Sequence, residues 1–274
     1  MSNNSSNSAR LDLSRLMINL VRTLRLNQVA NTVLSYMPKG IQDWVTELKV
    51  KNYLATYDPA DITLLPVDLL KAKQREALQY LIEKQGTDSL GDYLEFGVFT
   101  GTSLSCMYQI LQELNLDHIR LFGFDSFEGL PESAATEDDN TWNPGDFKFG
   151  YEFTKGILTQ RGIDWNRTFL TKGWFCNTLT PEFIQQHEIK KASVIMVDCD
   201  LYSSTQDVLK FCMPLIQDRA IVFFDDWNSN KLAEKNLGEK KAFDEYLAEH
   251  PHYAIEEFGC YTDHSAVFVV SRVS

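Results

Sequence analysis

Apolar residues follow two different rhythms along this chain. Before residue 90 they recur at helical spacing; from residue 91 they gather into short continuous runs. Leu13, Leu16, Met17, Leu20, Val21 and Leu24 fall on one face of a helix, with Arg15, Arg22 and Arg25 left for the other. Such a stripe has to bury somewhere, so it predicts packing on the main body, an oligomer contact, a cover over a substrate site or a membrane contact, protein packing being the commonest fate. A second helical pattern spans residues 66–85, starting near Pro66 and stopping at Gly86. The later runs "DYLEFGV", "IRLFGFD", "RTFLTKG", "SVIMVD" and "AIVFFDD" are separated by helical stretches. That alternation predicts parallel strands with crossover helices, and unbroken apolarity means that both sheet faces are covered.

The endings "HYAIEEFGCY" and "SAVFVVSRV" predict a terminal pair of strands joined by a turn. Thr180-Pro181 reads as an N-cap with Pro at the first helical position, and Ser203 with Gln206 as a capping box opening the helix after the fourth run. The predicted class is α/β: a Rossmann-like, seven-stranded, mostly parallel sheet with helices on both faces and an N-terminal helical extension. The chain is then expected to divide into a disordered polar tail (1–10), a helical segment serving as lid or oligomer contact (11–88) and a main domain (89–274).

Composition narrows the function. The 274 residues carry 26 basic and 38 acidic side chains, a net charge of −12, which repels nucleic acid and anionic lipid. Cys106, Cys176, Cys199, Cys212 and Cys260 form an odd set without CxxC or zinc-like spacing, so a reducing cytoplasm is expected rather than a disulfide framework or zinc site. The polar start "MSNNSSNSAR" and the Arg- and Asn-interrupted stretch after it predict neither a secretory signal nor a spanning helix.

In open α/β sheets ligands bind beyond the carboxyl ends of the strands. The first run delivers "LEFGVFTGTSL", where Gly97 and Gly101 bracket a turn and Glu95 adds a carboxylate. This E-x-G-x-x-x-G differs from the dinucleotide G-x-G-x-x-G and suits a ligand bearing positive charge; a purely structural turn is the alternative. Asp125 ends the second run where a ribose-binding acid belongs, although it could equally cap a turn. Trp174 and Phe175 follow the third run and could flank an adenine ring or fill core. The fourth run ends in Asp198 and Asp200, the fifth in Asp225 and Asp226, one helix and one strand later. Four carboxylates at one sheet edge, with no His or Cys cluster, suit Mg²⁺ or Ca²⁺. Between the second run and the next helix, Trp142, Phe147, Phe149, Tyr151 and Phe153 lie in a long connection that either closes over an acceptor or staples itself to the core.

In this order, "LEFGVFTGTSL", "GFDSFEGLPE", "GWFCNTL", "VDCDLYSST" and "FDDW" resemble the macrocin O-methyltransferase family, class I S-adenosylmethionine-dependent enzymes of natural-product biosynthesis. The likeness covers residues 90–274. It implies that Glu95, Gly97, Val98, Gly101, Thr102, Ser103, Asp125, Ser126, Gly173, Trp174 and Asp198 contact the cofactor. It further implies that Asp198, Asp225 and Asp226 hold Mg²⁺, and that the substrate is a small natural product with a sugar or phenolic hydroxyl. More distantly the acidic set is similar to that of catechol O-methyltransferase. That enzyme has a Lys three residues after its first metal Asp, where this chain has Leu201, so no lysine base is available there. The family's Gly between the two Asp residues is here Cys199.

Asp198, Asp200 and His264 are the candidates to accept the proton of the hydroxyl. The rival enzyme is a metal-dependent glycosyltransferase reading Asp198-Cys199-Asp200 as a DxD motif, which leaves the glycine turn and Asp225-Asp226 without a role. A non-catalytic scaffold would leave the whole acidic set without one. A homodimer, no nucleic acid and no membrane complete the expectation.

Overall fold

The computed structural model describes residues 34, 36–55 and 64–273. The polar tail and the stripe at residues 13–24 lie outside the described residues. Two compact units divide at residue 56, Met1–Thr56 and Tyr57–Ser274. Helix α1 (Lys39–Leu54) belongs to the first, and exposes Ile41, Trp44 and Leu48 along one stripe.

The second unit is built on a seven-stranded sheet: β1 (Asp92–Phe96), β2 (Leu121–Asp125), β3 (Thr168–Lys172), β4 (Ala192–Val197), β5 (Arg219–Phe224), β6 (Tyr253–Glu257) and β7 (Ala266–Arg272). The spatial order is β3-β2-β1-β4-β5-β7-β6. The first five are parallel, and β7 runs antiparallel to both β5 and β6, as the sequence pattern predicts. Helices α2 (Val67–Gln85), α3 (Thr102–Glu113), α4 (Tyr151–Gln160), α5 (Phe175–Thr178), α6 (Pro181–Gln186), α7 (Tyr202–Cys212) and α8 (Gly238–Glu249) complete it.

Alternate strand residues feed two separate cores, because successive side chains point to opposite faces. Leu94, Phe96, Ile195, Val197, Val222 and Phe224 pack with Val208 and Phe211 of α7 and Phe243 of α8. Tyr93, Val194, Met196, Ile221 and Phe223 pack on the other face with Leu104 and Met107 of α3. Leu70, Ala77, Leu78 and Leu81 of α2 join that second core. The helix at residues 66–85 is thus a layer of the sheet unit, which begins at Tyr57.

Gly86 stops α2 with φ 79°, a left-handed value that suits glycine. Thr180 caps α6, its side chain accepting from Phe183 N–H with Pro181 at the first position. The capping box expected at Ser203 and Gln206 does not form: α7 opens after Leu201 with no side-chain cap of its own. Instead the Gln206 amide donates to the Tyr202 hydroxyl at 2.7 Å.

Candidate active site

The strand order reverses between β1 and β4: β1 leads outward to β2, β4 to β5. This is the point where open α/β sheets leave a crevice. Gly97 sits there with φ 90°, and a Cβ on it would lie 1.6 Å from the Asp198 carbonyl oxygen. The two strand ends therefore touch only because residue 97 has no side chain. Beside them Asp125 organises the turn. Its Oδ2 accepts the N–H groups of Val98 (2.8 Å) and Phe99 (2.9 Å), and its Oδ1 accepts that of Phe127 (2.6 Å).

Glu95 is fully buried and does not reach the wall of the cleft. Its two oxygens accept from the Ser103 hydroxyl (2.6 Å) and the Tyr93 hydroxyl (2.5 Å). Burial outweighs these bonds and raises its carboxyl to about 8. Gly101, also off the wall, turns left-handed (φ 76°) against the Leu158 side chain. The other residues assigned to the cofactor, Val98, Thr102, Ser103, Ser126, Gly173 and Trp174, line the cleft together with Gly97, Asp125 and Asp198.

The acidic centre lies across the switch point. One ligand atom each from Asp198, Asp225 and Asp226 falls within 4.8 Å of the other two. Asp200, left-handed at φ 64° and buried, stands beside them and interacts most strongly with Asp226. Burial raises the carboxyls of Asp198 and Asp200 well above the ordinary range, and the neighbouring carboxylates push further the same way. Asp225 rises to about 6 for the same two reasons, burial first and Asp226 second. The Tyr261 hydroxyl donates to Asp225 Oδ1, and the Ser229 hydroxyl to Asp226 Oδ1 at 2.7 Å. None of the ion pairs formed by Lys or Arg among the described residues involves these four groups. Glu239, the first-turn acid of α8, is fully buried behind them; it accepts the Asp226 N–H at 3.1 Å and leaves its other oxygen unpartnered. Neither Tyr261 nor Glu239 is legible in the sequence, because the return of the chain through α8 and the turn between β6 and β7 brings them in.

Glycine turn and acidic centre share one cleft of about 1000 Å³. Trp142, Phe147, Trp174 and Phe175 line it, and His264 stands on the wall near Asp225. The aromatic connection divides its labour. Phe149 packs edge-on to Phe99, and Tyr151 to Phe127, tying the loop down, while Trp142 and Phe147 face the cleft.

Residues 54–261 match the family model described as Macrocin-O-methyltransferase (TylF). The chain belongs to the macrocin O-methyltransferase family. Among curated relatives, it is 30% identical over 162 residues to the 8-demethyl-8-(2,3-dimethoxy-alpha-L-rhamnosyl)-tetracenomycin-C 4'-O-methyltransferase of Streptomyces olivaceus, covering 57% of this chain and 60% of that one. It is 26% identical over 171 residues to the mycinamicin III 3''-O-methyltransferase of Micromonospora griseorubida, covering 58% and 64%. The matches thus span less than two thirds of these relatives' lengths. The fold is that of the O-methyltransferase NovP (TM-score 0.60, 22% identity, 74% of this chain and 79% of that one) and of the calicheamicin methyltransferase CalS11 (TM-score 0.55, 22% identity, 84% and 92%). Within this macrocin O-methyltransferase family member, no helix among the described residues is long and apolar enough to cross a membrane.

Proposed function

We propose that this family member is an S-adenosylmethionine-dependent, Mg²⁺-dependent O-methyltransferase acting on a sugar or phenolic hydroxyl of a small natural product. The observation that carries the reading is the convergence of Asp198, Asp225 and Asp226 next to the glycine turn. Carboxylates this close and this buried need compensation, since an uncompensated buried charge costs several kcal/mol. An all-oxygen donor set calls for a hard cation. Oxygens on Mg²⁺ at about 2.1 Å lie at most about 4.2 Å apart, and those on Ca²⁺ at most about 5 Å, so a spread of up to 4.8 Å is already within reach of Ca²⁺ and would contract slightly around Mg²⁺. Bound there, Mg²⁺ would supply Lewis acidity that lowers the pKa of an acceptor hydroxyl.

The chain's own groups do the rest. Gly97, Val98, Thr102, Ser103 and Asp125 line the part of the cleft that would take the nucleoside, and Trp174 offers a stacking face. A cleft of about 1000 Å³ is at the upper end of small-ligand sites, which run from roughly 300 to 1,000 Å³, and so has room for a methyl donor and an acceptor together. Trp142 and Phe147 exclude water on the acceptor side. Asp200 and the ring of His264 both stand on the wall as groups able to take the hydroxyl proton. The names of the relatives, which include a rhamnosyl tetracenomycin and a mycinamicin, support a glycosylated acceptor. Five free cysteines, Cys176 and Cys260 of them exposed, support a reducing cytoplasm, and a homodimer through the N-terminal helices remains part of the proposal.

The test is methyl transfer from labelled S-adenosylmethionine to glycosylated and phenolic acceptors, with and without chelator. Asp225→Asn should cut turnover by ~10- to 100-fold or more with S-adenosylmethionine affinity nearly intact, and EDTA should abolish turnover until Mg²⁺ is restored. Full activity in chelator would remove the metal from the reading. Sugar transfer from a nucleotide sugar, without methyl transfer, would establish the glycosyltransferase in its place.

A further inference from the structure

The two helices that follow the acidic strand ends both begin on a poor residue. The N-cap of α7 is Leu201 and that of α8 is Leu237, and neither helix has a side-chain cap from that position. One carboxylate serves both. Asp138 Oδ2 accepts the Tyr202 N–H at 2.9 Å, and its Oδ1 accepts the Gly238 N–H, also at 2.9 Å. Glu137 adds two bonds on the α7 side, accepting the Ser203 N–H at 3.2 Å and the Ser203 hydroxyl at 3.0 Å.

The turn that places Asp138 is itself unusual. Asp138, Asp139 and Asn140 have φ of 46°, 61° and 55°. Three consecutive non-glycine residues in the left-handed region are unfavourable at each position and persist only where surrounding contacts impose them. Those contacts lead to the two acidic loops. Asp139 pairs with Lys235 at 2.7 Å. Trp142 and Ala134 share a small buried cluster with Leu201, which follows Asp200, and with Leu232, three residues beyond the Ser229 that holds Asp226. The connection that carries Trp142 and Phe147 to the acceptor side is thus tied, through one buried side chain, to both segments bearing the acidic centre.

We propose that Asp138 is a positioning residue that sets the separation of the β4 and β5 loops, so that the acidic centre holds its shape only while the acceptor-side connection is docked. The consequence for metal affinity rests on the metal reading given above; the consequence for the loops does not.

Two variants of the full chain test this, both compatible with a left-handed backbone: Asp138→Gly, which deletes both caps, and Asp138→Asn, whose single carbonyl oxygen can serve only one helix. Hydrogen exchange of the metal-free protein should speed up about tenfold around residues 198–204 and 225–238 together in Asp138→Gly. In Asp138→Asn it should do so in one of the two segments, with residues 97–103 unchanged in both variants. Mn²⁺ affinity should fall about tenfold in Asp138→Gly while S-adenosylmethionine affinity stays within about threefold. Faster exchange spread evenly over the chain, unchanged exchange in either segment of Asp138→Gly, or undiminished Mn²⁺ affinity would overturn the proposal. If the unsubstituted protein takes up no Mn²⁺, the metal reading fails and the exchange pattern alone decides the role of Asp138: both segments loosened upholds it, fewer overturns it.

Discussion

The β1–β2 end of the sheet and the β4–β5 end both present aspartates at the same edge, yet they are chemically opposite. At β2, Asp125 receives three backbone N–H groups and spends its charge organising the glycine turn. At β4 and β5, Asp198, Asp200, Asp225 and Asp226 face one another; burial raises all four carboxyls, and the neighbouring carboxylates push those of Asp198, Asp200 and Asp225 further. One end is complete in itself and ready to shape a recess; the other is unfinished until protons or a cation arrive. A carboxylate at a strand end is therefore not a ligand site by position. What separates the two roles is the supply of donors around it.

The largest effect should come from breaking the seam between the two ends. Gly97→Ala would drive a methyl group into the Asp198 carbonyl, 1.6 Å away, from a left-handed φ of 90°. Strain from the backbone region alone is ~1–3 kcal/mol, and the clash adds to it by displacing β1 from β4. The variant should unfold at markedly lower temperature or, if it folds, lose affinity for both S-adenosylmethionine and divalent metal. A native melting temperature with both affinities intact would mean that the seam is not shared.

A smaller effect separates the ends by pH. Burial lifts Glu95 beneath the glycine turn from an ordinary 4.5 to about 8. The folded state therefore binds a proton that the unfolded chain releases, and stability contributed by the protonated form is lost as pH rises from about 4.5 to about 8. Glu95→Gln keeps an acceptor and removes that titration. Its melting temperature relative to the unsubstituted protein should climb between pH 5 and pH 8, in buffers chosen with about equal ionic strength. A flat difference across that window would place the ionised form of Glu95 in the folded state throughout.

Much of this arrangement is legible in the sequence, and the unread part has a common cause. Continuous apolar runs such as "SVIMVD" mark strands whose two faces are both covered, and the two cores bear this out residue by residue. The terminal antiparallel pair and both ends of α2 follow from composition and from Pro66 and Gly86. The four aspartates converge because adjacent parallel strands end at one edge, a consequence of topology that the spacing already contains. The roles of Asp138, Glu239 and Tyr261 do not follow in this way. They act across gaps of 100, 13 and 36 residues, on backbone N–H groups or carboxyls that local pattern cannot place. The capping box at Ser203 shows the same limit from the other side: its local signature is present, but Glu137 takes the serine instead.

The central claim is that the unfinished end is finished by a divalent cation, and the most direct measurement is calorimetric titration of Mn²⁺ into chelator-treated protein near neutral pH, beside Asp225→Asn. The account predicts about one ion per chain in the unsubstituted protein, affinity lower by ~10- to 100-fold in Asp225→Asn, and S-adenosylmethionine binding nearly equal in both. No binding of Mn²⁺ at millimolar concentration, or equal affinity in the variant, would contradict it and leave the four aspartates as proton-sharing groups without a metal.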